Sequence, residues 1–470
     1  MARRFVSRSL AMLAAAGAIV LACMSVAKAA GTATTKPVID SQPWTGDFDG
    51  MFERRHIRML VPYSRTLFYL ENGKELGLTA DLAHDFANYL NHKHAKELAG
   101  RPITISLIPT TRERLLTELV DGMGDISGGN LTATASRMKM ADFVSPTERD
   151  PAHEVLVSGP GAPAVASTDD LSGKKVNVRL GTSYLESMND LNAKLGAANQ
   201  PPVQIVTMPD ALEDEDVLEM LNAGLLQFTI VDSWKAKLWA QVEPQIKVHD
   251  DVVLRNTGTI AWAIRKQSPK LQAELEGFYK SSAPQGLIQA RLTNYQDKLA
   301  EISKNSADET SRFDRTLELF RKYGKQYPFD PLMLAAEGLQ ESQLGMAGVG
   351  HGSAATGRNA LPAPGAEFEK NVQAGTKYAD SLMTRYFPDA KFSEQDRTLF
   401  TFASYSAGPD NIERMRREAQ KRGLDPNQWF NNVELLTAEK IGIETTAYVR
   451  GILKYNIAYK LINEGGAGKN

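Results

Sequence analysis

The chain has 470 residues, of which 42% are hydrophobic and 23% charged, and a formal net charge of −2. That length suffices for two or three domains, and the composition excludes a disordered chain. The near-neutral charge gives no electrostatic footprint for a nucleic-acid partner.

Residues 1–29 read as an export signal. Arg3, Arg4 and Arg8 form a positive n-region, and Leu10 to Ala22 is an apolar run too short to span a bilayer comfortably. Ala27-Lys28-Ala29 is a small-x-small cleavage site. The segment holds four of the 54 basic residues and none of the 56 acidic ones, so the remainder stands at −6. The single cysteine, Cys23, falls inside it. Val20-Leu21-Ala22-Cys23 loosely matches a lipoprotein box, with Leu21 where a small residue is usual. Cleavage after Ala29, lipidation at Cys23 with outer-membrane attachment, and a retained anchor are therefore all open. Cleavage after Ala29 would remove the cysteine and with it any disulfide framework. No later stretch is apolar and long enough to cross a membrane. The expected location is the periplasm.

Across 47–280 strands and helices alternate. Arg58 to Pro62 predicts a strand, Thr79 to Leu90 an amphipathic helix, Ile103 to Ile108 a second strand, and Arg112 to Val120 a second helix. Asp125-Ile126-Ser127 begins a third strand. This alternation predicts an α/β sheet with ligands at the carboxyl ends of its strands. The pattern repeats after Asp170, where a strand feeds Gly181-Thr182-Ser183-Tyr184 before a helix, a ready anion site. Seven histidines show no metal-ligand spacing, and no cofactor is expected.

Gly129-Asn130-Leu131-Thr132-Ala133-Thr134-Ala135-Ser136-Arg137 and Leu221 to Asp232 carry a resemblance to the family 3 periplasmic solute-binding proteins. That resemblance implies a type II two-lobed fold. It also implies an amino-acid ligand whose α-carboxylate is held by Asn130, Thr132, Arg137 and Thr182, with Asp232 on its amino group. Guanidinium binds carboxylate bidentately, which is why an arginine suits that place. Asn130 and Gln227 depart from the family's usual Ser and Asp. Tyr63, just after the first strand, is placed to wall the cleft. The competing structural roles are an ion pair of Arg137 with Asp142 or Glu148, and a helix N-cap for Asp232.

Residues 281–312 read as a linker, with Ser281 to Gly286 as the exit and Lys304 to Asp308 as a joint. From Phe313 to residue 463 no strand pattern appears. Phe313, Leu317 and Phe320 lie at i, i+4 and i+7, the first helix of an all-α domain. Asp330 is a good N-cap with Pro331 at the first helical position. Leu334, Gly338 and Glu341 then share a face, which sets a carboxylate at the end of a half-buried stripe. Burial raises a carboxylic acid's pKa, as a proton donor at neutral pH requires. The bland alternative is an exposed Glu in a last turn.

Glu341-Ser342, Tyr405-Ser406-Ala407-Gly408, Gly423 to Phe430 and Glu444 to Val449 stand in the order of the soluble-lytic-transglycosylase domain, which they resemble. The resemblance implies an all-α, goose-type lysozyme-like fold over about 150 residues. It implies cleavage of the β-1,4 bond between N-acetylmuramic acid and N-acetylglucosamine in peptidoglycan, closing a 1,6-anhydro ring without water. Glu341 would be the single acid and base, and the substrate's acetamido group would assist, beside the known exceptions to the two-carboxylate rule. Ser342, Tyr405 and Tyr448 would line the saccharide groove, with core packing as the other role for the tyrosines. Two departures stand out. The family's Gly-Met-Gln segment is replaced by Gly352 to Pro364, and its Tyr-Asn-Ala-Gly reads Tyr405-Ser406-Ala407-Gly408. The expected partners are glycan strands and a small amino acid or muropeptide stem peptide. The alternatives are a catalytically impaired sensor or wall-binding protein, and the binding component of a transporter.

Overall fold

The computed structural model describes residues 42–71, 74–145, 152–282, 293, 295, 377 and 380–466. The export signal with Cys23, the helix at Phe313 and the stretch carrying Glu341 and Ser342 lie outside them.

The first lobe opens with α1 (Phe48–Arg54) and β1 (His56–Pro62), then a hairpin of β2 (Tyr69–Glu71) and β3 (Lys74–Leu76). It continues through α2 (Leu78–Lys93), α3 (Ala95–Leu98), β4 (Thr104–Thr110), α4 (Leu115–Val120), β5 (Ile126–Thr132) and β6 (Ala141–Val144). The second lobe runs β7 (Glu154–Ser158), β8 (Lys175–Arg179), α5 (Ser183–Ala197) and β9 (Gln204–Met208). It ends with α6 (Asp214–Asn222), β10 (Phe228–Asp232), α7 (Ser233–Trp239) and β11 (Lys247–Arg255). The chain then returns to the first lobe as β12 (Ile260–Arg265) and α8 (Pro269–Ser282).

The two five-stranded sheets have the orders β4-β1-β5-β12-β6 and β11-β7-β10-β8-β9. Parallel strands at the centre are buried on both faces, which explains the near-continuous apolar runs of β1 and β10. The chain passes between the lobes twice, and the two passages meet where Ala152 N–H donates to Gly258 C=O at 2.8 Å. This is the two-lobed type II binding-protein fold that the alternation and resemblance led us to expect. One boundary differs. The predicted helix from Arg112 starts at Leu115, because Arg112 is drawn inward to donate to Gly129 C=O at 2.8 Å.

Asp125 organises the base of the first lobe. It is fully buried, and its carboxylate meets Arg58 at 3.0 Å and Arg265 at 3.5 Å, with Arg54 also bound. Arg58 is itself fully buried and reaches the backbone carbonyls of Gln42, Trp44 and Gly122, tying the N-terminal arm down. Asp125→Ala would leave buried guanidinium charge uncompensated. We expect a loss of about 3–5 kcal/mol in urea unfolding.

The described part of the C-terminal region is helical: α9 (Glu394–Ala407), α10 (Pro409–Lys421), α11 (Glu434–Lys440) and α12 (Ile443–Gly466). Ser393 caps α9 by accepting from Asp396 N–H at 3.0 Å. Gly408 takes φ 85°, a left-handed conformation that ends α9, and Pro409 opens α10 at once. The core holds Phe400 edge-on to buried Trp429 at 5.4 Å. A helical region without strands is what an all-α lysozyme-like domain requires. It is joined to the lobes, since α12 packs on α6 and α11 on β2.

Candidate functional site

Arg137, Thr132, Thr182 and Asp232 are all buried at the facing ends of the two sheets, and Asn130 is half-buried beside them. Asn130 has φ 49°, and asparagine tolerates this left-handed backbone better than most residues. That gives a physical reason for Asn where the family has Ser.

The lobes are closed on each other. Arg137 donates to Thr132 C=O at 3.1 Å within its own lobe and to Gly181 C=O at 2.9 Å in the other. Gly181 has φ 67°, and a Cβ there would lie 2.8 Å from the Glu113 backbone, so only glycine allows this approach. Of the two acids weighed as partners of Arg137, Asp142 pairs with Lys266 at 2.8 Å and Glu148 lies outside the described residues; Arg137 faces Glu186 at 3.7 Å. Desolvation, opposed by Glu186, lowers the Arg137 pKa.

Thr182 is the N-cap of α5, yet its hydroxyl turns to Arg179 C=O at 2.7 Å. Near the start of α5 a carboxylate is already present: buried Glu154 accepts from Ser187 and lies 3.3 Å from Arg255. Asp232 sits at the N-cap position of α7 without a side-chain cap bond. It accepts instead from the Tyr184 hydroxyl at 3.0 Å, while its Oδ1 has no hydrogen-bond partner among the described residues. Burial pushes Asp232 up to about 6, with Lys235 opposing and Glu154 and Asp214 reinforcing.

This shift has a sign. A carboxyl with a raised folded pKa binds its proton more tightly in the native state, so its contribution is most favourable below the unfolded value near 3.8. Stability is lost as pH rises from there through about 6 and is flat above. Asp232→Asn should therefore remove that slope and raise stability at pH 7 by about 2–3 kcal/mol, measured by urea unfolding between pH 4 and 8.

Sequence reasoning missed the charged core of the cleft. Glu213, just before α6, accepts from Arg112 of the first lobe at 2.9 Å. The same carboxylate accepts from Arg179 of the second lobe at 2.7 and 3.0 Å. Asp214 holds Lys235, Tyr184 and Arg179. Burial would raise the Asp214 pKa, but Lys235, Arg179 and Arg112 hold it well below the usual carboxylate range. Glu215 takes Ser64 Oγ at 2.8 Å and Thr66 Oγ1 at 3.1 Å from the first lobe. The available signals were an arginine ending an apolar strand and four acids in a row opening a helix.

Tyr63 lies at the edge of this cluster, on the side that meets the helical region. It lines a cavity of about 40 Å³ with Arg65, Glu215 and Asp216 on the binding side and Thr446 and Arg450 on the helical side. Burial raises its pKa, as does nearby Glu434, against Arg450.

In the helical region Tyr405 is half-buried on α9 and Tyr448 is buried on α12. Ser406 Oγ and Thr445 Oγ1 link the same two helices at 3.2 Å. Glu341, Ser342 and the 352–364 segment lie outside the described residues. Among the described residues no cluster of His, Cys, Asp or Glu is arranged for a metal, and no helix is long and apolar enough to cross a membrane.

No family model matches the chain. It is 24% identical over 452 residues to "Membrane-bound lytic murein transglycosylase F" of Ectopseudomonas mendocina (strain ymp), covering 92% of this chain and 87% of that protein. The protein of the same name from Erwinia tasmaniensis is 24% identical over 452 residues, covering 89% and 86%. Among solved structures, an ancestral arginine-binding protein bound to arginine is 20% identical with TM-score 0.42, over 52% of this chain and 98% of that one. The amino acid ABC transporter substrate-binding protein AbpA from Streptococcus pneumoniae is 18% identical with TM-score 0.44, over 53% and 98%. Along most of its length, through the two lobes and the helices beyond them, the chain is a homologue of the proteins named membrane-bound lytic murein transglycosylase F.

Proposed function

We propose that the chain is a periplasmic peptidoglycan lytic transglycosylase whose two-lobed domain captures a small ligand and gates the lytic domain. The observation that carries this is the match to proteins of that name over 92% of the chain, which spans both halves in one order. The domains are read as an export signal at 1–29, a solute-binding domain at 47–280, a linker at 281–312 and a lytic domain at 313–463. Glu341 protonates the leaving glycosidic oxygen, then removes the proton of the muramoyl 6-hydroxyl as the anhydro ring closes. Ser342 orients it, and Tyr405 and Tyr448 line the groove. Arg137 with Asn130, Thr132 and Thr182 receives the carboxylate of an amino acid or stem peptide, and Asp232 its amino group. The Oδ1 of Asp232, without a hydrogen-bond partner among the described residues, supports that last role. Lobe closure is a hinge motion able to bias a domain packed on it. Attachment to the outer membrane would run through Cys23.

The test is mass spectrometry of purified sacculi incubated with the wild-type protein. Release of 1,6-anhydro-muropeptides is expected, and their absence overturns the enzymatic reading. The replaced 352–364 segment favours a second reading, a wall-binding sensor without turnover. A displacement of about 1 Å at a reacting group costs on the order of 100-fold in rate, so losing the Met-Gln pair could silence the site. That reading expects sacculus binding with no product.

A further inference from the structure

The cleft between the lobes is already filled by the chain's own charges. Glu213 is buried, and its two carboxylate oxygens take three hydrogen bonds from two guanidinium groups. One of these, Arg112, belongs to the first lobe and is further fixed by Gly129 C=O at 2.8 Å. The other, Arg179, ends a strand of the second lobe. Both guanidinium groups are buried, so water screens neither charge effectively. Glu213 is also the first residue of a reciprocal capping box: its side chain accepts from Asp216 N–H while its own N–H donates to Asp216 Oδ2 at 2.9 Å. One side chain thus bridges the lobes, beside the Arg137–Gly181 and Ser64–Glu215 bonds, and caps α6.

A carboxylate in a two-guanidinium cradle is what a carboxylate ligand would provide. We propose that Glu213 is a tethered occupant of the binding cleft, which holds the lobes shut through Arg112 and Arg179 and is displaced by a ligand carboxylate. This rests on reading the lobes as a ligand-binding domain. Arg112 and Arg137 both donate to carbonyls of β5, at Gly129 and Thr132, three residues apart on one strand. The ligand that fits therefore carries two carboxylates, one for Arg137 and one for the pair that Glu213 leaves.

The test uses the full chain with Glu213→Ala and Glu213→Gln, the second retaining shape should the first not fold. Small-angle scattering is expected to show a larger radius of gyration for the variants in sodium chloride. Sodium acetate at equal ionic strength should restore the wild-type radius in a saturable way. A variant that stays closed, or that chloride closes as well as acetate does, overturns the proposal. L-glutamate and L-glutamine are then titrated calorimetrically into Glu213→Ala. Glutamate is expected to bind at least about tenfold more tightly, the scale of one charged hydrogen bond. Equal affinities overturn the two-carboxylate assignment. Failure of both to bind while acetate still closes the lobes overturns the ligand-binding reading and leaves the tether standing.

Discussion

Glu341→Gln is expected to stop the release of 1,6-anhydro products from sacculi, lowering the rate by at least about 100- to 10,000-fold. The amide keeps the shape of the side chain and its capacity to hydrogen-bond a sugar. It can neither give a proton to the glycosidic oxygen nor take one from the 6-hydroxyl. In a mechanism with one carboxyl, both steps fail together, and no second acid remains to carry a residual route. Binding to sacculi, measured by pelleting, should be unchanged, because the loss is confined to proton transfer. A variant within about tenfold of wild type would show that Glu341 is not the acid. Loss of binding together with turnover would point instead to a structural role for the side chain.

The sequence and the structure part company at definite places. Strands β1 and β4 were legible because their apolar residues cluster or alternate within a short stretch, and the period of such a stretch is a local property. The burial of Thr132, Arg137, Thr182 and Asp232 agrees with their place in short motifs that fix each by its neighbours, while their ligand roles are a proposal. The ion network was not legible, because its pairs join distant parts of the chain. Arg112 meets Glu213 across 101 positions and Ser64 meets Glu215 across 151. In the linear sequence Glu213-Asp214-Glu215-Asp216 reads as a solvated helix start, whereas all four are buried. Only the tertiary fold supplies the cations that make such burial tolerable. Tyr63 shows the reverse error of place: its position after β1 suggested a cleft wall, but the helical region covers it.

That covering contact gives the second large effect. Arg450→Ala is expected to destabilise the protein by about 3–5 kcal/mol and to loosen the helices from the lobes. Arg450 reaches Glu434 with two hydrogen bonds, at 2.5 and 3.1 Å, and Glu434 is fully buried. Its third arm crosses to Ala211 C=O at 2.6 Å and lies 3.8 Å from Asp216, and its plane covers Tyr63 at 5.1 Å. Burial works against the charge on Arg450, but Glu434 and then Asp216 hold its pKa up, so the guanidinium stays charged at any working pH. Removing it strands the Glu434 carboxylate away from water. Most of the cost should therefore come from that charge, and Glu434→Gln added to Arg450→Ala should recover part of the loss. Arg450→Lys should recover less than its charge suggests, since an ammonium cannot match the two-pronged geometry. Asp216 closes the capping box with Glu213, so the same contact joins the cleft to α12 through four residues of chain. Hydrogen exchange at α6 is the measurement: faster exchange is expected in Arg450→Ala, and wild-type exchange with unchanged urea stability would mean that the crossing is ornamental.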